Sequence, residues 1–88
     1  MSSATTVTDH DAIRQWAEKN HARPSCVKGT GSKDDPGMLR FDFDERDESL
    51  KEISWDTWFE WFDKNRLALL CTADSRFNKL VSRDGETR

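Results

Sequence analysis

Apolar residues recur at helical spacing in two separate stretches of this chain. In the first stretch they return every three or four positions, and Thr8 or Asp9 can cap the helix that they predict. In the second stretch Ser54 is the cap candidate. We therefore expect one helix from about residue 9 to Asn20 and another from Trp55 to about Asn65. The apolar positions concerned are Ala12, Ile13, Trp16 and Ala17, then Trp55, Trp58, Phe59, Trp61 and Phe62.

Four other segments have the composition of β-strands. The clearest is 38–43, where Leu39, Phe41 and Phe43 alternate with polar neighbours, as in a strand with one buried face. The glycine-flanked segment 29–37, the charged segment 44–51 and the segment 73–75 connect the elements. The predicted strands are 25–28, 38–43, 67–72 and 76–82.

These elements follow one another in the order αββαββ. Such an order predicts an α+β fold in two layers, with a single four-stranded antiparallel sheet and both helices on one of its faces. The domain is expected to span residues 9–83. Residues 1–8 are expected to form a disordered tail, and residues 84–88 a frayed end.

The two halves of the chain share several residues at an offset of 45 positions. This pattern has two interpretations, an internal αββ repeat or a chance alignment of two amphipathic helices that are each followed by a hairpin. The matching residues are Asp11, Trp16, Lys19, Asn20 and Cys26, which recur as Asp56, Trp61, Lys64, Asn65 and Cys71.

The composition predicts a soluble cytoplasmic protein. Hydrophobic residues make up 34% of the 88 positions and charged residues 35%, and no apolar run is long enough to span a bilayer. Two cysteines are too few for a disulfide framework, so we expect reduced thiols. The net charge of −3 is unevenly spread, with an acidic middle segment (40–63) before a basic end (64–88).

The aromatic residues of the second helix are the main candidates for a binding surface. At the 45-residue offset, Trp58, Trp61 and Phe62 match apolar residues of the first helix, which predicts that they are mainly core. Trp55 and Phe59 match the polar His10 and Arg14. We therefore expect these two rings either to form an exposed contact patch or to complete the core.

An acidic segment precedes this helix and would flank the contact patch. The candidate protein-binding residues are thus Trp55 and Phe59 together with Asp42, Asp44 and Glu48. They predict a non-catalytic protein-interaction or regulatory module whose partner is another protein or a second copy of the chain.

Nucleic-acid binding is the alternative of another class. Basic residues of the last hairpin could contact phosphates while Phe77 stacks on a base. The sequence pI near 5.3 makes nucleic acid the less favoured partner. An acidic inhibitor that mimics nucleic acid is a third interpretation. The residues of the basic surface are Lys28, Arg76, Phe77, Lys79 and Arg83.

No cofactor, metal site or catalytic group is predicted. The acidic segment begins like a calcium-binding loop, but Arg46, Asp47 and Ile53 stand where that loop needs a ligand, a glycine and a glutamate. His10 and His21 lie near helix ends without an evident partner, so a nucleophile-activating base is not expected.

Four short motifs resemble a set of small bacterial proteins without an established activity. They are Ile13-Arg-Gln-Trp-Ala-Glu18, Asp35-Pro-Gly37 before Leu39-Arg-Phe-Asp42, Glu52-Ile-Ser-Trp55, and Lys79-Leu-Val-Ser-Arg83. Some members of that set are labelled 1,4-α-glucan branching enzyme, which implies a (β/α)8 barrel of about 250 residues. Eighty-eight residues cannot form such a barrel, so the resemblance leaves at most an accessory carbohydrate-binding role for this chain.

Overall fold

The computed structural model describes residues 4–73 and 75–83, which form two helices and six strands. In chain order these are β1 (Thr5–Val7), α1 (His10–Lys19), β2 (Arg23–Val27), β3 (Leu39–Asp42), β4 (Leu50–Glu52), α2 (Trp55–Lys64), β5 (Leu67–Cys71) and β6 (Asn78–Ser82). The α+β class is confirmed. Neither described helix has the length and the apolar content that crossing a bilayer requires. The expected frayed end at 84–88 lies outside the described residues.

Both helices begin and end where the sequence predicts. A carboxylate oxygen of Asp9 accepts a hydrogen bond from the Ala12 backbone N–H at 2.9 Å, and the Ser54 hydroxyl accepts one from the Thr57 N–H at 3.1 Å. Each cap satisfies a backbone donor that has no partner within the helix. Asn20 and Asn65 form the two C-caps.

The prediction of one four-stranded sheet is wrong. The strands form two three-stranded antiparallel sheets, with orders β1-β5-β6 and β3-β2-β4. The expected hairpins β2–β3 and β5–β6 do form, but each gains a strand that the hydrophobic pattern does not reveal. These added strands, β1 and β4, have three residues each and lie at sheet edges, where polar residues are typical. Residues 5–7, expected in a tail, are therefore part of a sheet.

Each of the two added strands pairs with a strand from the other half of the chain. Within residues 4–73 and 75–83, strand β1 of the first half pairs with β5 of the second half and with no other strand, and Val7 lies opposite Leu69. In the same described ranges, strand β4 of the second half pairs with β2 of the first half alone, and Leu50 lies opposite Val27. Neither sheet is complete without a strand from the other half.

Local structure coincides at the 45-residue offset that the sequence suggests. The first strands of the two halves, the two helices and both sets of helix caps are all 45 residues apart. The backbone also turns into the left-handed region once after each helix, at His21 (φ 59°) and Arg66 (φ 52°). The coincidence ends after the helices, since β2 and β5 begin 44 residues apart and β3 and β6 begin 39 residues apart.

One hydrophobic cluster joins both helices to both sheets. It contains residues from α1, α2, β3 and β5, so the two helices share one core with strands of both sheets. Trp58 and Phe62 are fully buried within it, and their rings stack with centroids 5.1 Å apart. The indole N–H of Trp58 donates to the Arg40 carbonyl at 3.1 Å, which satisfies its buried donor.

Candidate functional site

Three rings stack where the start of α1 meets α2. The His10 ring lies parallel to the Phe59 ring, with centroids 4.0 Å apart and an interplanar angle of 9°. On its other side, Phe59 stacks with Trp55 at 5.2 Å and 19°. The stack therefore runs Trp55–Phe59–His10 and links the N-terminal residue of each helix through the middle of α2.

Phe59 does not form the exposed contact that was one of its two predicted roles. Only 7% of the residue is exposed, because His10 covers the ring. The prediction compared this side of α2 with a side of α1 that was taken to face solvent. In the structure those two sides face each other, so polar residues of α1 cover apolar residues of α2. Trp55 remains half-buried, at the edge of the core.

The other three aromatic residues of α2 divide differently from the prediction. Trp58 and Phe62 are core residues, as expected. Trp61, also expected to be mainly core, is half-buried: it packs against the core cluster and also lines an open cleft. Trp16, its counterpart at the 45-residue offset, is half-buried as well and packs against the same cluster.

A cleft of about 380 Å³ opens over the ring stack between the two helices. Three of its lining residues come from α1, at positions 10, 11 and 14, and three of the five from α2 are at positions 55, 56 and 59. These positions are pairwise 45 apart, so the cleft lies where equivalent parts of the two halves meet. Its full lining is His10, Asp11, Arg14, Trp55, Asp56, Phe59, Glu60 and Asp63. We call it the interhelix cleft.

The interhelix cleft is acidic. Four of its side chains are carboxylates, against one arginine and one histidine. Among residues 4–73 and 75–83, Asp11 and Asp56 form no ion pair. Each lies in the first turn of its helix, where the helix dipole favours a negative charge. Glu60 pairs with Lys64 at 3.2 Å on the exposed face of α2.

At one side of this cleft, the Asp63 carboxylate contacts both His10 of α1 and Arg83, which follows β6. One carboxylate oxygen lies 2.9 Å from His10 Nε2, and the other accepts from an Arg83 guanidinium nitrogen at 2.9 Å. Burial raises the pKa of Asp63, but the hydrogen bonds and charges of Arg83 and His10 together outweigh it and lower the pKa from its ordinary value. His10 thus has a partner that the sequence did not reveal.

The three acidic residues that were predicted to flank Trp55 and Phe59 lie outside the interhelix cleft. Asp42 is buried and forms an ion pair with Arg23 at 3.5 Å, so it is not available to a partner. Asp44 is exposed and lies 3.9 Å from Arg76. Glu48 is exposed in the loop before β4. None of the three lines the interhelix cleft, whose carboxylates come from the helices instead.

The residues of the alternative nucleic-acid surface do not converge on one face. Arg83 binds Asp63 and the Leu67 carbonyl, while Arg76 lies over the Phe43 ring. Lys28 lines one cleft beside the 29–37 loop, and Lys79 lines another. Phe77 is 49% exposed and available for contact.

Nothing in the described part of the chain assembles a metal site or a nucleophile with its base. No group of three or more His, Cys, Asp or Glu side chains among residues 4–73 and 75–83 is placed to hold a metal ion. The side-chain partner of His10 in those ranges is a carboxylate, with no hydroxyl or thiol hydrogen-bonded to the ring. Cys26 and Cys71 are buried free thiols, and burial raises the pKa of Cys71.

Comparisons with known proteins do not add to this site. No family model, no curated protein and no solved structure matches the chain.

Proposed function

We propose that the chain is a protein-interaction module whose interhelix cleft binds a basic side chain of its partner, preferably arginine. The observation that supports this most is the half-buried Trp55, which ends a stack of rings in a cleft with two unpaired carboxylates. Among the described residues, the indole N–H of Trp55 also has no hydrogen-bond partner.

A guanidinium group suits this combination better than an ammonium group. Its flat face stacks on an indole, while its N–H groups bind carboxylates in a fixed fork. Asp11 and Asp56 come from opposite helices and could accept those hydrogen bonds from two sides. Because the rings of Phe41, Trp58 and Phe59 already pack against Trp55, little side-chain entropy would be lost on binding.

Arg14 also lines the cleft and limits what can bind there. Its positive charge opposes a large basic surface and favours a single inserted side chain or a short basic segment. Long-range attraction between this acidic region and a basic partner would further raise the association rate.

A titration with a hexa-arginine peptide tests the proposal. Isothermal calorimetry should detect binding to the full chain, and Trp55→Ala should weaken it about 3- to 30-fold, the range expected for a cation–π contact. Asp11→Asn with Asp56→Asn should weaken it further. Glu48→Gln removes an acidic charge outside the cleft and is the matched control. Equal loss of affinity in the control and in the cleft variants would contradict the proposal.

A further inference from the structure

Trp16 and Trp61 match at the 45-residue offset but differ in their hydrogen bonds and in the rings beside them. The indole N–H of Trp16 donates to the Thr72 carbonyl at 3.0 Å. Its ring also lies beside Phe41 and Phe43, with centroids 5.4 and 6.5 Å away. The Trp16 side chain therefore has a carbonyl acceptor from the second half of the chain and two neighbouring rings from the first half.

Trp61 lacks both kinds of partner. Among residues 4–73 and 75–83, no acceptor receives its indole N–H and no aromatic ring packs against it. The Lys64 ammonium lies 4.5 Å from its ring centroid. The remainder of Trp61 borders a cleft of about 550 Å³, which we call the lysine cleft.

The lysine cleft is lined by mainly apolar side chains on one side and by the 29–37 loop on the other. Cys26 and Ile53 line it together with Thr57 and Trp61. Its wall is the 29–37 loop, which is closed by a hydrogen bond from the Ser32 N–H to the Asp35 carbonyl at 2.8 Å. A side chain at Gly31 would collide with the backbone of Asp35 and Pro36, so the loop is tightly packed at that point.

Three lysines, Lys28, Lys33 and Lys51, surround this cleft. Within the described part of the chain none of them forms an ion pair, whereas Lys64, Arg23, Arg46, Arg76 and Arg83 all do. Asp34 and Asp35 also line the cleft, but the Asp35 carboxylate accepts from the Gly37 N–H at 2.8 Å within the loop. Three ammonium groups without an ion pair and two carboxylates therefore line the cleft, and the lysines are in excess.

We propose that the lysine cleft binds a nucleoside phosphate. The base would supply to Trp61 what the structure supplies to Trp16, namely a flat ring and an acceptor for the indole N–H. The phosphate oxygens would bind Lys28, Lys33 and Lys51, which form no ion pair with the described residues. A volume of about 550 Å³ suits an organic ligand of this size and exceeds what a bare phosphate ion needs.

Calorimetric titration of the full chain with ADP, adenosine and tripolyphosphate separates the two parts of the ligand. ADP should bind at least about tenfold more tightly than either adenosine or tripolyphosphate, because only ADP has both the ring and the charges. Lys28→Ala with Lys51→Ala should weaken ADP binding about tenfold or more. Trp61→Leu should weaken ADP binding while leaving the weak tripolyphosphate binding unchanged.

Lys79→Ala is the matched control, since Lys79 is another lysine without an ion pair among the described residues but lies beside a different cleft. It should leave the ADP affinity within about twofold of the wild type. The proposal is overturned if ADP does not bind at millimolar concentration, if tripolyphosphate binds as tightly as ADP, or if Lys79→Ala weakens binding as much as the cleft variants. Circular dichroism of each variant establishes that it is folded, and the lysine variants test the site if Trp61→Leu does not fold.

Discussion

The imidazole ring of His10 lies flat against the phenyl ring of Phe59, with centroids 4.0 Å apart. This contact places the first residue of α1 on the middle of α2 and hides a ring that the sequence pattern allowed to be exposed. It also leaves Trp55, at the other end of the stack, as the more exposed of the two α2 rings that line the interhelix cleft. Of the two rings that the sequence proposed for partner binding, the structure therefore leaves Trp55 accessible and buries Phe59.

Replacing Phe59 by alanine should destabilise the fold by about 3–4 kcal/mol, because the ring is buried and its removal leaves a cavity. His10→Ala should cost about 1 kcal/mol, the contribution of an aromatic pair. Urea denaturation measures both values. A cost below about 1 kcal/mol for Phe59→Ala would show that this ring is not a core residue.

Asp42 and Asp44, neighbouring acids of the predicted binding segment, should respond differently to the same change. Asp42→Asn removes the counter-charge of the largely buried Arg23 and should cost about 2–3 kcal/mol. Asp44→Asn affects only an exposed pair and should change stability by less than about 0.5 kcal/mol. Equal effects in thermal or urea denaturation would contradict the structural role assigned to Asp42.

Asp63 should make the fold sensitive to acid. Its pKa is lower in the folded chain than in the unfolded one, so its stabilisation is fully present above the unfolded value and is lost as the pH falls through the folded value. Asp63→Asn should therefore reduce the loss of stability between about pH 5 and pH 2. The expected change is below about 1 kcal/mol, since the side chain is 46% exposed and solvent screens its charge.

The measurement is urea denaturation at a series of pH values. The Asp56→Asn chain is the control, because Asp56 is a carboxylate of the same helix outside the His10–Asp63–Arg83 bridge. If Asp63→Asn shows the same pH dependence as the wild type, Asp63 does not contribute in this way.

A chain that begins at residue 9 should be less stable by about 2–3 kcal/mol. It would lose β1, the pairing of that strand with β5, and the packing of Val7 against the core. Val7→Asp in the full chain should reproduce much of the loss, because it places a charge at the core boundary. Unchanged denaturation midpoints in both chains would mean that residues 5–7 behave as the tail that the sequence pattern predicts.

The predictions from sequence succeeded where hydrophobic periodicity and capping act together. Asp9 and Ser54 fix the helix starts, and the alternation of Leu39 and Phe41 identifies the buried face of β3. They failed for β1 and β4, because an edge strand of three mostly polar residues has no periodic signal. Once those strands are missed, the division into two sheets cannot be predicted.

The candidate site was predictable only in part. Trp55 was identified because it is aromatic where the matching residue of α1, His10, is polar. The carboxylates, however, were predicted in the segment before α2 and not on the helices. A usable signal was present, since Asp11 and Asp56 match at the 45-residue offset and both lie in the first turn of a helix. What the sequence could not show is that the two helices present equivalent sides to each other.

The most direct test of the binding proposal follows the indole N–H signals in a ¹H–¹⁵N spectrum, assigned through single Trp→Phe substitutions. Trp16 and Trp58 donate to backbone carbonyls, whereas Trp55 has no acceptor among residues 4–73 and 75–83. Titration with hexa-arginine should therefore shift the Trp55 signal and leave those of Trp16 and Trp58 in place. A Trp55 signal that does not move at saturating peptide, or equal shifts of every indole, would contradict binding in the interhelix cleft.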